Sequence, residues 1–297
     1  MRTVRNVHQR IIDAPADTVG ALLDRLAGED DPLFPTPAWT GMRFDRPLGV
    51  GADGGHGSIR YRVTAYEPGR GIRFDSASLG GYHRFSVEPL DGGARCRLVH
   101  ALEIRVGLAE TLLWALAVLP VHDTVIEELF DNAERAATGR LTRPATRWSP
   151  RVRLLHRLGH PRPAATPVPA AARLARHAFD RPDFADACRL PLERGMDRDP
   201  RAWRGVLPFP VQAAGESELL LGKDAGHLDF RASVLVGEDD VTLSTVVKVH
   251  NTRGRLYWAL VRHLHPYAAR HALRRTHRRL ALAAPSAGER HRSRVTS

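Results

Sequence analysis

Residues 8–23 read HQRIIDAPADTVGALL, and Pro15 divides them into two kinds of structure. Before it, a β-branched stretch ends at Ile11 and Ile12, which favours a strand. After it, Ala16, Val19, Leu22 and Leu23 recur at helical spacing. Proline suits a helix start, because the amide it lacks would have no partner there. A strand near 3–13 is therefore expected to pass directly into a helix near 16–27.

Working outward, a long irregular segment with Pro32, Pro35, Pro37 and Pro47 precedes four alternating runs: SIRYRVTAYE (58–67), GIRFDS (71–76), YHRFSVEPL (82–90) and ARCRLVHALEIRV (94–106). Ile59, Tyr61 and Val63 alternate with Arg60, Arg62 and Thr64, the period of a strand with one buried face. DGG at 91–93 marks a hairpin. A long helix near 108–137 closes this part, bent or broken at Pro120, with Leu112, Leu116, Leu119, Ile126, Leu129 and Phe130 as its apolar side. Strand, short helix, antiparallel meander and long helix make an α+β order.

The same plan restarts later without repeating the sequence. Residues 140–177 are rich in proline and arginine and read as a linker. Val152, Leu154, Leu155 and Leu158 permit one short helix there, and 161–169 is expected to be extended or disordered. Beyond it FADACRLPL reads as a strand, and DPRAWRGVL as a short helix with Asp199 as its cap and Pro200 at its first position. SELLLGK, HLDFRASVLV and VTLSTVVKVH follow as strands. A final helix near 253–281 carries Tyr257, Leu260, Val261, Leu264 and Ala268 along one face. The expected division is a first domain at 1–139, a linker at 140–179, a second domain at 180–282 and a basic disordered tail at 283–297.

Charge and composition narrow the partners. The net charge of +11 is concentrated in 140–179, with nine arginines and no acid, and in 270–297, with eight arginines and one acid. Those segments exceed the total, so the expected folded bodies are mildly acidic. A nucleic-acid domain would carry its charge on a folded face, so no specific nucleic-acid partner is expected, only weak association of linker and tail with anionic surfaces. TLLWALAVLPV (111–121) is too short to cross ~30 Å of hydrocarbon, and Asp123, Glu127 and Glu128 follow it, so no transmembrane segment is expected. Arg2, Arg5 and Arg10 interrupt any signal-like apolar run. Cys96 and Cys188 suggest no disulfide framework, and the cytoplasm is the expected compartment.

The first part resembles the helix-grip superfamily of START, polyketide cyclase/dehydrase and lipid-transport proteins. IIDAPADTVGALL, the GGARCRLVHALEI hairpin and LPVHDTVIEELFDNAERAA carry that resemblance, over roughly 3–139. It implies a curved sheet wrapped on the long helix around a cavity. LGKDAGHLDFRASVLV and TVVKVHNTRGRLYWALVRHLHPYAARHALRR resemble a bacterial family of uncharacterised function, found alone or behind a short-chain dehydrogenase-like domain. That resemblance implies a second helix-grip-like fold but no activity.

Several constellations are weighed against these expectations. GVGADG (49–54) matches the dinucleotide fingerprint literally, but a strand-like run follows it where a helix is required. No H-E-x-x-H motif occurs, and His263, His265 and His271 do not share a helix face, so no metal site is expected. Asp229 and Arg231 share a strand face, as a surface ion pair would. Lys248 and His250 lie on a polar face, and Tyr257 and Trp258 are packing residues or the lining of a second cavity. RHALRRTHRR is read as solvated. His83 and His100 stand out, since alternation places them inward with Phe85, Val87, Leu98 and Leu102. Each is either a hydrogen-bonded core histidine or a ligand-orienting group and candidate general acid–base.

The expected function is binding of a small hydrophobic or aromatic molecule, lipid- or polyketide-like, with no cofactor. Tyr61, Phe74, His83, Phe85, His100 and Trp114 are its expected lining. The alternatives are a cyclase, aromatase or dehydrase enzyme using His83 or His100, and an interaction protein using the arginine-rich segments.

Overall fold

A computed structural model of the chain describes residues 2–57, 59–76 and 80–296. The chain forms two compact units, Met1–Leu158 with Pro285–Ser297, and Gly159–Ala284. No helix among the described residues is long and apolar enough to cross a membrane, and both cysteines are buried free thiols.

In the first unit, strand β1 (Arg2–Ile12) turns through Pro15 into helix α1 (Ala16–Leu23). The Pro15 carbonyl accepts the Thr18 and Val19 amides at 3.1 and 3.3 Å, starting the helix, which buries Ala16, Val19, Gly20, Leu22 and Leu23. The chain then forms β2 (Arg43–Phe44), β3 (Asp53–His56), β4 (Ile59–Glu67), β5 (Gly71–Ser76), β6 (Gly81–Leu90) and β7 (Arg95–Val106). Ser58, at the head of the β4 run, lies outside the described residues. The strands make one seven-stranded antiparallel sheet in the order β1-β7-β6-β5-β4-β3-β2. GVGADG leads into β3 rather than into a helix.

The closing helix comes in three pieces: α2 (Leu108–Leu113), a π-helical turn (Trp114–Val118) and α3 (Leu119–Thr138). Pro120 has no amide to offer the Leu116 carbonyl, which would be its helical partner. The guanidinium of Arg151, on helix α4 (Pro150–Gly159), donates to that carbonyl and reaches Ala115 O at 3.4 Å. The wider turn also shifts the buried face. Ile126, Leu129 and Phe130 are buried as expected, whereas Leu112 and Leu116 are exposed.

Two further expectations are corrected in this unit. Residues 140–158 are not a free linker, because side chains of α3 hold them. The Glu134 carboxylate accepts the Thr142 amide and hydroxyl at 2.8 and 2.6 Å, Asp131 accepts the Thr146 amide at 2.7 Å, and Glu128 accepts the Trp148 indole at 2.7 Å. The tail is not disordered either; it forms α7 (Ala287–Thr296). Ser286 and Glu289 make a reciprocal capping box, with the Ser286 amide on Glu289 Oε2 at 2.9 Å and the Glu289 amide on Ser286 Oγ at 3.3 Å. Arg290 donates to Thr36 O at 3.1 Å.

The second unit contains β8 (Ala164–Thr166), α5 (Arg173–Arg176), β9 (Phe184–Pro191), β10 (Val211–Ala214), β11 (Glu218–Ala225), β12 (Leu228–Val236), β13 (Asp240–Val249) and α6 (Thr252–Ala283). Its sheet is antiparallel with the order β10-β11-β12-β13-β9-β8. The rest of the expected linker is ordered here. β8 pairs with β9, placing Ala165 against Cys188, and the buried Glu218 carboxylate accepts the Leu174 and Ala175 amides at 2.7 and 3.0 Å. Asp199 caps a 3-10 turn at Pro200–Trp203 by accepting the Arg201 amide at 2.8 Å. Along α6 the buried residues are Gly254, Trp258, Ala269, Leu273, Thr276, His277 and Ala281. Tyr257, Leu260, Leu264 and Ala268, expected on the apolar face, are exposed. Asp229 and Arg231 do not pair with each other, as Arg231 takes Asp224 at 2.6 Å and Asp229 takes His250 at 2.9 Å.

Candidate functional site

The first unit holds a cavity of about 440 Å³ between its sheet and the closing helix. The sheet supplies Tyr61 from β4, Phe74 from β5, and His83 and Phe85 from β6. The helix side supplies Trp114, Ala117 and Val118 from the π-helical turn, with Val121, His122 and Val125 after it. Alternation explains the sheet wall, because Phe74 and His83 are register partners and so share a face. Five of the six expected residues line the cavity, four on the sheet wall and Trp114 on the helix side. His100 does not. It is fully buried behind His83, with its Nε2 3.0 Å from His83 Nδ1.

His100 belongs to a group of four imidazoles. Its ring centroid lies 5.2 Å from that of His83, 5.1 Å from that of His122 and 6.5 Å from that of His8. Sheet register creates part of this cluster, since His8 faces His100 across β1 and β7, and His100 faces Phe85 across β7 and β6. Burial pushes His83 and His100 well below the ordinary imidazole range, with the neighbouring His122 adding to it, so both rings are neutral at pH 7. Burial also lowers His122, against its bond to Asp123. His100 Nδ1, His122 Nε2 and Trp114 Nε1 are buried without a hydrogen-bond partner.

A polar seam adjoins the cluster. The inward face of β1 is Asn6, His8 and Arg10, while Val7 and Ile11 are 49% and 48% exposed. Asp123, Glu127, Asp131 and Glu134 recur at helical spacing on α3 and meet them. Asn6 donates to Asp123 at 3.1 Å, and His8 bonds Asp123 at 3.1 Å and Glu127 at 2.8 Å. Arg10 reaches Asp131 at 2.6 Å, Glu127 at 2.9 Å and Glu134 at 3.4 Å. The bonds to Asp123 and Glu127 outweigh burial and raise His8 to about 9, leaving it protonated at neutral pH. Burial would raise Asp123, but its contacts with His122 and His8 hold its carboxyl below the usual range.

His56 also lines the cavity, and burial lowers it to about 4, with His122 adding to the effect. The Tyr61 hydroxyl lies within hydrogen-bonding distance of the neutral ring, 3.4 Å from its Nε2. Chemically the wall is apolar, with neutral imidazoles able to donate and accept one hydrogen bond each.

Sequence reading missed His8, His56 and His122. A signal for the seam was present, as Asn6, His8 and Arg10 alternate while Asp123, Glu127, Asp131 and Glu134 keep helical spacing. The expectation of no metal site considered histidines along single helices. The structure instead gathers His83, His100 and His122 from β6, β7 and α3.

The family model described as "Protein of unknown function (DUF2867)" matches residues 116–272, just over half of the chain. No curated protein matches the chain. Similar solved structures include a conserved protein of unknown function from Enterococcus faecalis, at 11% identity and TM-score 0.37, covering 52% of this chain and 81% of that one. Another is a point mutant of norcoclaurine synthase from Thalictrum flavum in complex with a transition-state analogue, at 15% identity and TM-score 0.35, covering 47% and 98%. KanY protein is similar at 14% identity and TM-score 0.36, covering 46% and 99%. At these identities and scores, activity has to be read from the residues themselves.

Proposed function

We propose, for a chain that belongs to the DUF2867 family and takes no activity from it, that the first unit binds a small, largely apolar or aromatic molecule carrying one or two hydrogen-bonding groups. One observation carries the reading: a cavity of about 440 Å³, within the size range of small-molecule sites, lined by apolar and aromatic side chains with imidazoles at one end. Phe74, Phe85 and Trp114 would contact an apolar body, and His83 and His122 would orient a hydroxyl or carbonyl. Such a ligand matches the division of the wall.

Val121→Trp in the full chain tests this, because a larger side chain at the helix wall occupies the space. Native mass spectrometry for co-purifying small molecules and titration with an apolar fluorescent probe should both lose signal while the fold persists by circular dichroism. Probe binding undiminished in a folded Val121→Trp protein overturns the reading.

Acid–base catalysis by His83 is a second reading, favoured by its place on the wall with His100 directly behind it at 3.0 Å. The second unit we read as another helix-grip body, supported by its first strand, antiparallel sheet and long closing helix.

A further inference from the structure

We propose that His83, His100 and His122 together bind a divalent first-row transition-metal ion, zinc by preference, at the imidazole end of the first unit's cavity. Each residue offers one ring nitrogen such that all three lie within 4.8 Å of one another. Tetrahedral zinc holds imidazole nitrogens at about 2.0–2.1 Å, which places neighbouring donors roughly 3.3–3.4 Å apart. His83 Nδ1 and His100 Nε2, at 3.0 Å, already stand near that separation, so the remaining closure falls to the ring from α3.

The unpaired nitrogens favour the same conclusion. His122 Nε2 is buried with no hydrogen-bond partner, although buried polar atoms are almost always paired. Its other nitrogen, Nδ1, lies 3.5 Å from Asp123 Oδ1. That carboxylate is fixed in turn by Asn6 and His8, both at 3.1 Å. A carboxylate behind a ligating imidazole is the usual support of a metal-bound histidine, setting its tautomer and ring orientation. His8, His122 and Asp123 form a rival group, but both His8 nitrogens are already engaged by carboxylates at 2.8 and 3.1 Å. Three neutral nitrogen donors suit zinc and its first-row neighbours better than magnesium or calcium, which prefer oxygen.

His83 and His122 line the cavity whereas His100 lies behind them, so a fourth coordination position would open into the cavity. Three protein ligands with one open position is the arrangement of a reactive zinc site rather than a closed structural one. The metal proposal does not depend on the apolar-ligand reading, and the two are measured separately.

The test uses the full chain, stripped with a chelator, dialysed and titrated with Co²⁺ and then Zn²⁺. One equivalent of Co²⁺ per chain should give the intense visible bands of a tetrahedral site and be displaced by Zn²⁺. His83→Leu and His122→Phe should each lose those bands, and His56→Phe, in the same cavity but outside the trio, should keep them. Absence of a stoichiometric tetrahedral spectrum overturns the proposal, as do bands that persist in folded His83→Leu and His122→Phe proteins. Should either variant fail to fold, X-ray absorption on the zinc-loaded wild-type chain decides: three imidazole nitrogens uphold the site, and fewer overturn it. Apolar-probe titration of the metal-stripped chain reports on the cavity reading independently.

Discussion

Arg10 on β1 donates to Asp131 on α3 at 2.6 Å, and both side chains are almost wholly buried. The same guanidinium reaches Glu127 and Glu134, and the free oxygens of Asp131 and Glu134 hold residues 142 and 146. One buried cation thus organises the strand, the helix and the segment after the helix. Removing a partner from such a group leaves charge buried without compensation.

Arg10→Met should therefore destabilise the first unit by about 3–5 kcal/mol and make residues 140–149 newly sensitive to limited proteolysis. Denaturant unfolding of the full chain measures the first effect and peptide mapping the second. A loss below about 1 kcal/mol, in the range of a surface pair, would show that the network is not structural.

Gly20→Ala should destabilise although alanine is the better helix former by about 1 kcal/mol. A Cβ at position 20 would lie 2.1 Å from Gly69 O. The turn at Gly69 has φ +71 and is pinned by the Asp24 carboxylate, which accepts the Gly69 amide at 2.9 Å, so its backbone resists retreat. The expected net cost is about 1–3 kcal/mol, and an unchanged or higher melting temperature would contradict it.

Arg151→Met should loosen the π-helical turn without unfolding the unit. The Leu116 carbonyl would lose the donor that replaces the missing Pro120 amide, at a cost of roughly 1 kcal/mol. Hydrogen exchange should speed up several-fold at amides 114–119 while the rest of α3 is unaffected. Uniform exchange across the helix would place the support elsewhere.

Acid should loosen the second unit through His277. This ring is buried, its Nε2 donates to Pro191 O at 2.9 Å, and its Nδ1 accepts from His160 Nε2 at 3.0 Å. Arg274, bonded to His160 O at 2.6 Å, brings a further positive charge nearby. Burial lowers His277 in the folded state, against its bond to Pro191. The unfolded chain therefore takes up a proton more readily. The stability contributed by the neutral ring is fully present above the ordinary histidine value of about 6.5 and is lost as pH falls below it, by at most about 1.4 kcal/mol per pH unit. Hydrogen exchange of β9 and α6 should accelerate from pH 7.5 to pH 5.5, after correction for intrinsic rates, and more steeply in wild type than in His277→Gln. Equal slopes would exclude His277 as the cause.

Local sequence pattern was enough to place the main elements in order. Pro15 separates β1 from α1, Ile59, Tyr61 and Val63 set a face of β4, and Asp199 caps its turn, because propensity, period and capping act over a few residues. It also put Phe74, His83 and Phe85 on an inward face. Which inward groups meet depends on the folded arrangement. His83 and His100 are 17 positions apart and His8 and Asp123 are 115 apart, so their contacts follow from strand register and from where α3 lies on the sheet. The same reason explains the linker and the tail: a proline- and arginine-rich composition predicts freedom, but Glu128, Asp131 and Glu134 supply hydrogen-bond acceptors that no local pattern pairs with Trp148, Thr146 and Thr142. Periodicity records which face is buried, and long-range register decides what is buried against it.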